Sequence, residues 1–304
     1  MAELKLGRVN CAVFTPFTDK FKVDEDVLRE HLRDLLKVEG LGLVANAHSG
    51  EGFTLTREEC KRIARIYVDE AKGKAPVTVC ILVESTEEAV ARALDAKEVG
   101  ANAVMLATPT SWLTGMDPKL AYPFMKEVIE RSGMPMVVFQ YPHFWGSTYG
   151  MELLIRLVTL KGVVAIKDAV WEALRYEKDY RAIKAAAPHV AVLTGNDLHL
   201  LANFTTGADG ALVAYGALLP REIKGLFDAC KSGDLKEAKA IHDRIWPVTE
   251  VVFGPPFLNM YARAKEALVM LGRLPNATVR PPLLPIAEDE RKKIRKALEL
   301  AGLL

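Results

Sequence analysis

Val9-Asn10-Cys11-Ala12-Val13-Phe14-Thr15-Pro16-Phe17-Thr18 is the stretch on which the fold class turns. Residues 9–14 read as a short buried strand, rich in apolar and β-branched side chains. An open, doubly wound α/β sheet usually follows such a first strand with a glycine-rich phosphate turn. Here the strand runs into Thr15-Pro16-Phe17-Thr18, which contains no glycine at all. If the rest of the chain keeps alternating strands and helices, the sheet is expected to close into a barrel instead.

The alternation continues outward from that stretch. Further strand candidates are 41–45, 77–82, 103–107, 136–141, 163–167, 190–194 and 210–214. Helical patterns lie between them. Residues 24–38 put Val27, Leu28, His31, Leu32, Leu35 and Leu36 on one face. Thr56 with Glu59, and Ser85 with Glu88, have the spacing of capping boxes. Gly73, Gly100, Gly133 and Gly207 stand where helices should stop before the next strand. Eight such units predict an α/β protein, a (β/α)8 TIM barrel over residues 1–220. After Leu219 the strand signal ends, so residues 221–304 are expected to form a C-terminal helical extension packed on the barrel. Gly254-Pro255-Pro256 and the prolines of 281–285 interrupt it.

Charge and composition narrow the function. The 40 Lys and Arg against 39 Asp and Glu leave +1, so a nucleic-acid partner is not expected. The apolar runs are far shorter than the roughly 20 residues of a membrane helix. No signal-peptide pattern opens the chain, and the expectation is a cytoplasmic protein with no membrane partner. Cys11, Cys60, Cys80 and Cys230 contain no C-x-x-C pair, which argues against a disulfide framework or a metal site.

Three places carry chemistry. Gly162-Val163-Val164-Ala165-Ile166-Lys167 ends an apolar strand on a lysine. At the C-terminal mouth of a barrel, a desolvated amine is a nucleophile for carbonyls. A surface lysine paired with Asp168 is the other reading. Asn46-Ala47-His48-Ser49-Gly50-Glu51 follows the second strand. Its small residues could turn successive N–H groups on an anion, with Ser49 adding a hydroxyl; a plain turn is the alternative. Phe139 and Tyr141 end the fifth strand two apart, hence on one face, so Tyr141 could move protons or merely pack.

These pieces, with Gly7…Thr15-Pro16, Gly50-Glu51, Thr54-Leu55-Thr56-Arg57-Glu58-Glu59, Pro142, Ile166-Lys167-Asp168, Thr194-Gly195-Asn196-Asp197 and Gly207-Ala208-Asp209-Gly210, occur in one order. Together they resemble the dihydrodipicolinate synthase/N-acetylneuraminate lyase family of Schiff-base aldolases and dehydratases. The resemblance is close over about the first 220 residues and looser beyond. It implies that Lys167 forms a Schiff base with a 2-oxo acid such as pyruvate. It also implies a substrate carboxylate on the turn of His48, Ser49 and Gly50, Val213 as a further substrate-binding residue, no cofactor, and a homo-oligomer, dimer or tetramer.

The departures from the family pattern are informative. His48 replaces the first hydroxyl residue of the turn, and Phe139 falls at the proton-transferring tyrosine. Phe144 falls at an arginine found in dihydrodipicolinate synthases, and no tyrosine stands near Pro109-Thr110-Ser111-Trp112. The expectation is therefore a lyase other than a typical dihydrodipicolinate synthase, with His48 and Tyr141 as candidates for the proton relay. Phe139, Tyr141, Phe144, Trp145, Trp112 and Trp171 are expected to line the mouth and favour an apolar or aromatic aldehyde. A 2-oxo-3-deoxy sugar acid dehydratase or aldolase, and a non-catalytic 2-oxo acid binding protein, are the alternatives.

Overall fold

The computed structural model describes residues 6–304. Eight parallel strands close in sequence order: β1 (Val9–Ala12), β2 (Leu41–Ala45), β3 (Val77–Ile81), β4 (Ala103–Leu106), β5 (Met136–Gln140), β6 (Val163–Asp168), β7 (Ala191–Thr194) and β8 (Gly210–Val213). β1 pairs with both β2 and β8, which completes the ring. The expected (β/α)8 barrel is the observed one.

Helices α1 (Glu25–Leu35), α2 (Arg57–Ala71), α3 (Thr86–Glu98), α4 (Pro118–Ser132), α5 (Met151–Val158), α6 (Ala173–Ala186) and α7 (Leu200–Thr206) cover the outside. Thr56 and Glu59 form a reciprocal capping box at the start of α2. Ser85 accepts from Glu88 N–H at 3.3 Å, but the Glu88 carboxylate turns to Arg92 instead of closing the box. α4 ends at Gly133, whose φ of +67° is open to glycine at no steric cost.

Two apolar layers follow from strand alternation. Val9, Cys11, Leu43, Val138, Ile166 and Val213 face the helices, whereas Ala12, Val44, Met105, Val137, Ala165 and Leu212 fill the barrel. β6 breaks the alternation once. Met136 pairs with Val163, but Val137 pairs with Ala165, so Val164 is an extra residue in β6. Val164 and Ala165 both pack inward, and after that bulge Lys167 points into the barrel.

Beyond β8 come α8 (Tyr215–Leu218), α9 (Pro220–Ser232), α10 (Leu235–Phe253), α11 (Met260–Met270) and α12 (Glu288–Leu300). α10 stops at Gly254-Pro255-Pro256, and the chain returns across the C-terminal mouth before α11 begins. Among the described residues, no helix is long and apolar enough to cross a membrane.

Candidate active site

Lys167 lies across the backbone of Gly195, just after β7. A Cβ built on Gly195 would sit 2.9 Å from both Cγ and Cε of Lys167, so glycine is what lets the lysine occupy this place. The Lys167 ammonium stands 4.2 Å from the centroid of the Phe139 ring. Burial lowers its pKa from the usual lysine range, while Cys80 and Asp197 pull the other way. The result is an amine more readily neutral than one in water, held at the floor of an apolar cavity.

The turn after β2 is built by several close contacts. Gly50 N–H and Gly52 N–H both donate to the Ala47 carbonyl at 3.0 Å. Ser49 Oγ donates to the Ala12 carbonyl at 2.8 Å. Among the described residues, the amides of His48 and Ser49 have no protein acceptor. Those two N–H groups are therefore the ones in the turn left free to donate to an anion. Gly50, expected to bind substrate, does not offer its N–H to the cavity. Its amide is taken up within the turn, and an added Cβ would meet the Val13 carbonyl at 2.8 Å. Glycine there lets the turn pack against the chain just beyond β1.

His48 and Tyr141 meet. Tyr141 Oη and His48 Nε2 are 3.2 Å apart, and the rings are nearly perpendicular. Burial and the nearby Lys167 charge push the His48 pKa down to about 3, so the imidazole is neutral at pH 7. Burial drives the Tyr141 phenol well above its ordinary range. The pair is thus a neutral phenol against a neutral imidazole, and a proton added to it would rest on the imidazole. The Phe139 ring packs at 4.4 Å from that of Tyr141, confirming that the two share a face.

The cavity above the lysine has a volume of about 350 Å³. Phe139, Tyr141, Phe144, Trp145 and Trp171 line it from β5 and the loops after β5 and β6; Phe253, Phe257, Leu258, Met260 and Tyr261 line it from the extension. Trp171 and Phe257 touch edge to face with ring centres 4.8 Å apart. Trp171 holds a φ of +59°, an uncommon conformation for a bulky side chain, directly after the strand that carries Lys167. Asp197 also reaches the cavity. Its Oδ1 accepts Tyr215 N–H at 2.7 Å, and burial raises its pKa to about 6 against the opposing effects of that bond and Lys167.

Behind β6, Asp168 faces the helices. Burial and the Asp179 charge raise its carboxyl to about 8. Asp179 is held by Gln140 and Arg175, each at 2.7 Å; Asp168 and Lys167 point to opposite faces of β6 and form no ion pair.

Of the residues singled out from sequence, Lys167, His48, Ser49, Phe139, Tyr141 and Phe144 converge on one cavity. Val213 does not. Alternation along β8 points Leu212 into the barrel and Val213 outward into the helix layer. Trp112 does not either: its loop folds back so that the indole packs on Phe124 of α4, 5.6 Å between centroids. Sequence reasoning missed Gly195 and Asp197, although Thr194-Gly195-Asn196-Asp197 ends a strand just as Lys167 does. It also missed the wall from the extension, whose signal was the pair of phenylalanines flanking Gly254-Pro255-Pro256.

The model of the "Dihydrodipicolinate synthetase family" matches residues 5–301 of this chain. A 4-hydroxy-tetrahydrodipicolinate synthase of Nitrobacter hamburgensis is 32% identical over 293 residues, covering 96% of each chain. A putative 2-dehydro-3-deoxy-D-gluconate aldolase of Escherichia coli is 26% identical over 289 residues, 94% of each. The solved dihydrodipicolinate synthase of Thermotoga maritima superposes with a TM-score of 0.90 at 25% identity, over 98% of this chain and 99% of that one.

Proposed function

This chain belongs to the dihydrodipicolinate synthetase family of lysine Schiff-base lyases and aldolases, and from that premise we propose that it joins or cleaves a 2-oxo acid, pyruvate in the first instance, and an apolar or aromatic aldehyde through an iminium on Lys167. The observation that carries the reading is the Lys167 amine at the floor of a largely apolar cavity, opposite the hydrogen-bonded His48 and Tyr141.

The ammonium releases a proton, the neutral amine attacks the carbonyl carbon, the proton returns to the carbinolamine hydroxyl, which leaves as water, and the iminium keeps the positive charge that the ammonium had. The substrate carboxylate accepts from the His48 and Ser49 amides. That negative charge offsets Lys167 and raises the proton affinity of the His48 ring. In the cleavage direction the hydroxyl proton at C4 passes to the Tyr141–His48 pair and the C3–C4 bond breaks. Its electron pair flows into the iminium to give an enamine, and the aldehyde departs into the aromatic half of the cavity. The enamine carbon then takes a proton back from the pair, and water releases pyruvate.

The same cavity argues against 4-hydroxy-tetrahydrodipicolinate synthesis. Among the described residues lining it, Lys167 is the one cation, so a second substrate with its own carboxylate finds no partner. A 2-oxo-3-deoxy sugar acid is the second reading, supported by Asp197 as an acceptor for hydroxyl groups. Borohydride trapping with pyruvate tests the nucleophile: the adduct is expected on the Lys167 peptide and absent from Lys167→Ala. Comparing kcat/KM for pyruvate addition to benzaldehyde-type acceptors with that for sugar-acid cleavage or dehydration tests the acceptor. An adduct on another lysine refutes the first part, and a preference for sugar acids refutes the second.

A further inference from the structure

Glu51 and Lys265 form an ion pair of 2.5 Å that is closed to solvent, with side-chain exposures of 0% and 1%. Neither residue lines the cavity, and the steps above use neither. We propose that this pair is a positioning device: α11 of the C-terminal extension holds, through it, the turn whose amides receive the substrate carboxylate. The inference rests on that assignment of the turn.

Glu51 closes the turn. Its N–H donates to the His48 carbonyl at 2.8 Å, and its own carbonyl accepts from Thr54 N–H and Thr54 Oγ. Its φ of +56° is strained for a residue with a side chain, and such strain persists only where surroundings enforce it. The enforcing contacts come from the far end of the chain. Lys265 binds one carboxylate oxygen, and the Arg280 N–H binds the other at 2.8 Å. Lys265 Nζ also donates to the Thr278 carbonyl at 2.8 Å. Phe17, from the Thr15-Pro16-Phe17-Thr18 loop, presents its ring to both Lys265 and Arg280, at 4.3 and 4.6 Å. Two segments from the end of the chain thus meet on one carboxylate, and a third, from the start, packs a ring on both of their cations.

Charge gives the pair its second effect. A carboxylate two residues from Ser49 would repel a substrate carboxylate across a poorly solvated region. Lys265 cancels it. α11 also carries Tyr261 one turn earlier, and Tyr261 lines the cavity. The same helix therefore sets the acceptor wall and the oxo-acid turn.

The test is the pyruvate concentration for half-maximal borohydride trapping, measured on folded protein. Lys265→Met is expected to raise it at least tenfold, because Glu51 is left unpaired. Glu51→Gln with Lys265→Met removes both charges and is expected to recover part of that loss while remaining at least threefold above the native protein. Arg263→Met serves as the control: it breaks the Arg263–Glu290 pair of the same helix and the Arg263 bond to the Gly254 carbonyl without touching Glu51, and is expected within twofold of native. If Lys265→Met fails to fold, the double variant carries the test, and a value within twofold of native overturns the proposal. So does a folded Lys265→Met that traps pyruvate at native concentration, or an Arg263→Met that is equally impaired. Absence of trapping in the native protein refutes the Lys167 chemistry itself, and the positioning proposal falls with it.

Discussion

Tyr141→Phe separates the chemistry of the His48–Tyr141 pair from its contribution to the fold. The substitution deletes one hydroxyl whose partner is His48 Nε2 at 3.2 Å. It keeps the ring that packs on Phe139 at 4.4 Å and on Trp145 at 4.8 Å. Tyr141 is only 4% exposed, yet its loss to stability is one neutral hydrogen bond, about 1 kcal/mol net. The loss to catalysis is much larger if the pair moves the proton. General acid–base work is worth about 10²–10⁴-fold, or roughly 3–5 kcal/mol of activation free energy. The measurement is retro-aldol cleavage of 4-hydroxy-2-oxo-4-phenylbutanoate, followed through pyruvate release, beside urea unfolding of the same samples. The expected result is a kcat lower by about 10²–10⁴-fold with stability changed by about 1 kcal/mol and the pyruvate adduct still formed at saturation. Adding His48→Asn to Tyr141→Phe should cost little more than the worse single change, because residues that act as one unit are not additive. A Tyr141→Phe enzyme within about threefold of native kcat, well under the range for proton transfer, would refute the relay.

Three further outcomes follow from the same geometry. Gly195→Ala places a methyl 2.9 Å from Lys167 Cγ and Cε, so trapping should fall about 10²-fold for a stability cost of about 1–3 kcal/mol; normal trapping would show that the lysine approaches its substrate by another path. Asp197→Asn keeps an acceptor for Tyr215 N–H but removes the negative charge that raises the Lys167 pKa, so the rising limb of trapping rate against pH should move to lower pH, by about one unit at most; a shift to higher pH contradicts the electrostatics. Asp168 has a folded pKa of about 8 against an unfolded 3.8, so between those limits the folded state binds the extra proton and stability must fall as pH rises. Unfolding free energies at pH 6 and 7.5 should differ by about 2 kcal/mol at most from this group, and Asp168→Asn should flatten the slope; an unchanged slope assigns it to other groups.

The alternation of short apolar runs with capped, amphipathic helices was enough to determine the barrel, because strand and helix periods are local properties of the chain. The absence of glycine in Thr15-Pro16-Phe17-Thr18 favoured a closed over an open sheet for a similarly local reason, and the pairing of β1 with β8 showed the closure. Lys167, Phe139 and Tyr141 were legible as strand-end residues, since the C-terminal ends of parallel strands in a barrel gather at one mouth. Their directions were not all legible. Counting by two from the outward-facing Val163 puts Lys167 outside the barrel, and only the extra residue at Val164 turns it in. A bulge depends on how two strands pair, so no reading of β6 by itself contains it. Val213 was assigned to the wrong side of β8 for want of the same information. The contact of His48 with Tyr141, 93 residues apart, and that of Glu51 with Lys265, 214 apart, arise from barrel closure and the return of the extension. Such contacts depend on which surfaces the packed elements bring face to face, and that was settled only when the whole chain had folded.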